Sequence, residues 1–67
     1  MSSILTKRER EIFELLIKNK STHEISMILY VSEKTVRNHI SNVMGKLGVR
    51  GRAQAVCELL RMKEISL

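Results

Sequence analysis

Aspartate, proline and tryptophan are missing from this 67-residue chain, and cysteine, phenylalanine and tyrosine occur once each. Each gap excludes something. Cys57 has no second thiol to close a bridge within the chain, so no disulfide framework holds the fold. With no secretory leader in the sequence, a reducing, cytoplasmic setting is expected. No apolar run approaches the ~18 residues of a membrane span, so a membrane partner is not expected. The lack of proline and the scarcity of aromatic residues favour helices over strands. Three glycines, none clustered, form no phosphate-cradling loop. His23-Glu24 begins like the zinc-protease signature, but Met27 stands where its second histidine is needed, and Cys57 lacks a CxxC partner. No catalytic residue, metal ligand, cofactor or small-molecule site is expected.

What remains is basic and periodic. Twelve Lys and Arg face seven Glu, for a net charge of +5. The stretch Glu33 to Arg52 holds five cations, Lys34, Arg37, Lys46, Arg50 and Arg52, against Glu33 alone. A locally basic half points to a polyanion partner. One domain is expected over residues 1–67. A chain this short buries only about 60% of its unfolded surface, so a second copy is a natural source of further burial.

Four helices are legible. Ile4 and Leu5 lead in. Thr6-Lys7-Arg8-Glu9 is a capping box opening helix one, which runs to about Lys18 with Ile12, Phe13, Leu15, Leu16 and Ile17 inward. Asn19, tolerant of the left-handed conformation, stops it. Ser21-Thr22-His23-Glu24 opens helix two, about 22–29, with Ile25, Ile28 and Leu29 on one face. Tyr30-Val31-Ser32 is the turn. Ser32 caps helix three, about 33–47, and Gly48 ends it. Two helices joined by three residues form a helix-turn-helix, whose second helix enters the DNA major groove.

Helix three is amphipathic. Val36, Ile40, Val43, Met44 and Leu47 fall in a stripe about 100° wide, the width a core contact needs. Lys34, Thr35, Asn38, Ser41, Asn42 and Gly45 face away, with Arg37 and Lys46 on the edges. Donors and acceptors of these types suit base edges in the groove. The plain alternative is a solvated face.

Helix four, Arg52 to about Lys63, is apolar over an arc of about 220°, roughly twice what one contact requires. Ala55, Val56, Leu59 and Met62 form one side; Ala53, Cys57 and Leu60 form another. One side serves the core and the other serves a partner, expected to be a second copy meeting at Ala53, Cys57, Leu60 and Arg61. Deep burial within the domain is the alternative.

Five ordered blocks resemble the LuxR/FixJ-type helix-turn-helix family: Leu5 to Glu9, Glu24 to Ser26, Ser32 to Ile40, Lys46 to Val49 and Arg52 to Val56. They cover nearly the whole chain. Ser32 to Ser41, Lys46 to Val49 and Glu58 to Met62 further resemble a stand-alone sporulation regulator of that family. The resemblance implies an all-α, four-helix domain that binds double-stranded DNA as a dimer through its last helix and regulates transcription of late sporulation genes. It implies base contacts from Arg37, Asn38 and Ser41, with Lys34 beside them, and backbone contacts from Thr6, Thr22, Thr35 and Lys46. Arg50 and Arg52 join Lys34 and Lys46 in holding phosphates. Asn19, Ser26 and Gly51 depart from the family's usual Gly, Ala and Ser or Asn. Two competing readings are a helical module that docks on a protein such as RNA polymerase, and the output domain of a longer response regulator.

Overall fold

The computed structural model describes residues 3–67; the lead-in residues Met1 and Ser2 lie outside them. Four helices follow in order: α1 Lys7–Leu16, α2 Thr22–Leu29, α3 Glu33–Leu47 and α4 Arg52–Arg61.

Local chemistry sets where the helices begin. Thr6 Oγ1 accepts the Glu9 amide at 3.1 Å, and Glu9 Oε1 accepts the Thr6 amide at 2.8 Å. Ser21 and Glu24 repeat this reciprocal pair at 3.1 and 2.9 Å. Ser32 Oγ accepts the Thr35 amide at 3.0 Å. Each pairing satisfies amides that the first turn leaves without a carbonyl. Gly51 has no side chain to cap α4. Gln54 substitutes by turning its Oε1 back onto the amides of Gly51, at 3.2 Å, and Arg50, at 3.3 Å. The start of α4 is therefore tied, not frayed as a glycine cap implies.

All four helices end alike. A residue with positive φ follows each: Asn19 at 66°, Tyr30 at 59°, Gly48 at 69° and Lys63 at 61°. The next amide then reaches back five residues, Lys20 to Leu15, Val31 to Ser26, Val49 to Met44 and Glu64 to Leu59. This closure satisfies carbonyls the last turn would strand. It also tightens the ends of α1 and α4, whose regular turns stop two residues short of the expected Lys18 and Lys63.

α3 packs against each of the other three helices. Its Val36, Ile40 and Val43 are buried with Ile12 and Phe13 of α1, Ile25 of α2, and Ala55 and Leu59 of α4. Leu5 and Ile65 seal the two ends of the chain onto this core. Leu15, Leu16 and Ile17 are only partly buried and pack at its margin. Two core assignments are corrected. Met62, expected on the core side of helix four, is 41% exposed as the residue that follows the last turn of α4. Ile28 is 46% exposed, because the face of α2 that holds Ile25 and Leu29 turns it toward an open cleft of about 220 Å³ lined by Glu11, Glu14, Leu15 and Lys18. The apolar sides of α4 divide as the arc requires. Ala55 and Leu59 are buried, whereas Ala53 and Cys57 are exposed and Leu60 is half-buried. Deep burial of the whole helix is thereby excluded.

Candidate nucleic-acid interface

The capped start of α3 and its buried stripe fix which residues look outward. Lys34, Arg37, Asn38, Ser41, Asn42 and Gly45 are exposed along one side of the rod. No other element of the described chain covers them. The helix is 15 residues long, or about 22 Å, so this strip spans several base steps of a duplex.

Hydroxyl groups flank the strip. Thr35 is half-buried, and its Oγ1 accepts the Ser32 hydroxyl at 3.0 Å. Thr22 is half-buried in the first turn of α2, where backbone amides still lack helical acceptors. Thr6 is exposed at the N-cap of α1. Helix N-termini with free amides are suited to phosphate oxygens.

The cations divide into two groups. Arg8 pairs with Glu11 at 3.4 Å, Arg10 with Glu64 at 2.9 Å and Arg61 with Glu58 at 2.6 Å. These charges are answered within the protein. Among the described residues, Lys34, Arg50 and Arg52 have no carboxylate within ion-pair distance. Lys34 lies at the start of α3, Arg50 in the α3–α4 link and Arg52 at the start of α4, while Lys7, Lys18, Lys20 and Lys63 likewise make no ion pair among the described residues.

Lys46 is less free than the sequence implies. Its Nζ donates to Glu9 Oε1 at 2.6 Å and to the Ile4 carbonyl at 3.1 Å. Glu9 is almost fully buried. Burial alone would push its carboxyl pKa up, but the Lys46 ammonium and the Thr6 amide outweigh that and hold it below the ordinary 4.5. An ammonium has three donors, so one remains for a phosphate. Glu9 was visible in the sequence only as half of a capping box. Its partner lies 37 residues away, with no periodic pattern linking them.

A second cluster also escaped the sequence reading. Glu33 Oε2 lies 2.9 Å from His23 Nδ1, and Glu33 Oε1 accepts Arg37 Nη1 at 3.4 Å. The carboxylate bridges α2 to the expected base-reading arginine. The His23 hydrogen bond is the main reason that its pKa falls below the ordinary value, with Arg37 adding to it.

Residues 3–59 match the profile of bacterial regulatory proteins, luxR family. The chain belongs to the luxR family. Its helix-turn-helix is α2 and α3, and the family consists of regulators, not enzymes. The chain is 69% identical over 64 residues to the spore germination protein GerE of Bacillus subtilis, covering 96% of this chain and 86% of that one. It is 47% identical over 58 residues to the transcriptional regulatory protein DegU of Brevibacillus brevis, of which it spans only 25%. The solved structure of the transcription factor GerE superposes with a TM-score of 0.94 at 63% identity, over 97% of both chains. The response regulator ChrA of a heme-sensing two-component system superposes at 0.87 with 31% identity, over 97% of this chain and 32% of that one. The four-helix arrangement expected from the sequence is the arrangement of this luxR domain.

Proposed function

We propose that this luxR-family chain is a sequence-specific, dimeric transcription regulator of sporulation genes, with α3 as its reading element. The observation that carries the reading is the uncovered polar side of α3, backed by a core that holds the rod rigid. Arg37 offers a bidentate fork to guanine and Asn38 pairs with adenine, each pair discriminating by ~1–3 kcal/mol. Lys34 and Ser41 extend the reading strip. Arg50, Arg52, the hydroxyls of Thr6, Thr22 and Thr35, and the remaining Lys46 donor hold phosphates, which sets affinity without reading sequence.

The exposed Ala53, Cys57 and Arg61, with half-buried Leu60, form the contact for a second copy. A two-fold dimer then requires two half-sites of matching symmetry. The sporulation role is supported by the identity to GerE over nearly the full chain. A cytoplasmic, nucleoid-bound location accords with that role, and among the described residues no helix is long and apolar enough to cross a membrane.

Selection of bound fragments from randomised duplexes tests the reading. Arg37→Ala is expected to relax base preference at one position per half-site. Arg50→Ala is expected to weaken all sites together and to reduce the salt slope by about 1. Even loss across all sequences in both variants contradicts the division between readers and anchors. Binding to RNA polymerase with no duplex affinity would favour the protein-docking alternative.

A further inference from the structure

We propose that Glu33 is a specificity-determining positioning residue, which holds the Arg37 guanidinium in its reading pose and is itself held by His23 of α2. The inference deepens the reading of Arg37 as a base contact and rests on it.

Arg37 is one turn beyond Glu33, so the two side chains lie on the same face of α3. Glu33 Oε1 accepts Nη1 of Arg37 at 3.4 Å, while Oε2 is taken by His23 Nδ1 at 2.9 Å. With one oxygen anchored across the turn of the motif, the carboxylate cannot swing freely about its own stem. The contact uses one terminal nitrogen of the guanidinium. Nε and Nη2 form the edge that remains for a guanine. An exposed arginine otherwise samples many rotamers, and ordering it on binding costs discrimination.

The charge of Glu33 has a second consequence. It is the single acid on the side of α3 that meets the duplex. A carboxylate there repels phosphate whatever the sequence. It weakens non-specific binding while sharpening one specific contact, and specificity is the ratio of the two. A role confined to the helix dipole predicts no effect on base choice.

The test measures base preference in selection experiments, and affinity for a random duplex, with melting curves as the check on folding. Glu33→Gln removes the charge. Glu33→Asp keeps the charge at the N-terminus but withdraws it from Arg37 by one methylene. His23→Ala frees the other oxygen. Glu33→Gln is expected to lower the guanine preference at the Arg37 position about 5–10-fold, a part of what one bidentate pair supplies, and to raise random-duplex affinity about 2–5-fold at low salt. Glu33→Asp is expected to lose the same preference without the gain in random-duplex affinity. His23→Ala is expected to show a smaller loss at that position only. In an Arg37→Ala background, Glu33→Gln changes preference no further. A preference profile unchanged by both Glu33 variants, in a wild-type-like fold, overturns the positioning role while leaving Arg37 as a reader. A profile unchanged by Arg37→Ala itself overturns both.

Discussion

The ammonium of Lys46 stands 2.6 Å from Oε1 of Glu9, a carboxylate left 3% exposed. This pair joins the first turn of α1 to the last turn of α3. It ties the C-terminal end of α3 to the start of α1. The Ile4 carbonyl takes a second donor of the ammonium, so the lead-in segment is fastened to the same point.

Replacing Lys46 by Met strands a buried carboxylate. Stability is expected to fall by ~2–3 kcal/mol, less than a fully enclosed pair would lose because the Lys46 side chain is 35% exposed. Urea unfolding checks this. The change at Arg50 is expected to alter the salt slope of binding alone, whereas the Lys46 change alters both that slope and the midpoint of unfolding.

Acid should undo the same contact. Glu9, Glu24, Glu33, Glu58 and Glu64 all ionise below their ordinary 4.5 in the folded chain. A lowered folded pKa contributes stability that is present above the unfolded pKa and lost as pH falls through the folded one. Melting temperature is expected to hold above about pH 5 and to drop progressively below 4.5. Glu9→Gln, which cannot ionise, is expected to make that drop shallower.

Tyr30 and Lys63 hold left-handed backbone with ordinary side chains, and Tyr30 is 94% exposed. The side chain of Tyr30 contributes little burial to offset its strain. Tyr30→Gly is expected to stabilise the domain by about 0.5–1 kcal/mol, the strain relieved less the entropy glycine adds to the unfolded chain. Thermal denaturation decides it, and a fall in melting temperature argues for an unseen contact of the ring.

Gly45 sits within α3 with no atom near the position a Cβ would take. Gly45→Ala is expected to add up to ~1 kcal/mol of helix stability. Binding measured alongside identifies its role. A uniform loss of affinity marks close backbone approach to a phosphate at that turn.

How much of this was legible in the sequence follows from how local each cause is. Helix starts depend on residues three apart, so Thr6 with Glu9 and Ser21 with Glu24 announced α1 and α2. Asn19 and Gly48 announced stops because their types favour positive φ. Tyr30 and Lys63 adopt the same conformation without that favour. The closing hydrogen bonds from Val31 to Ser26 and from Glu64 to Leu59 require it, and no residue type betrays it. Periodicity found the buried stripe of α3 and the two sides of α4, but it placed Ile28 inward because a three-residue step fits the pattern of a helix face. Which part of that face meets a neighbour depends on how α1 and α2 splay. Pairings across long separations, Glu9 with Lys46 and His23 with Glu33, leave no periodic trace at all. They tie the two ends of α3 to α2 and α1.

The most direct measurement of the central claim is an amide spectrum of the labelled domain titrated with a duplex that it selects. The largest shifts are expected to cluster on Lys34, Arg37, Asn38, Ser41 and Asn42, with smaller ones at the first turns of α1 and α2. Shifts confined to the α1–α2 cleft, with the outward side of α3 unmoved, would contradict it.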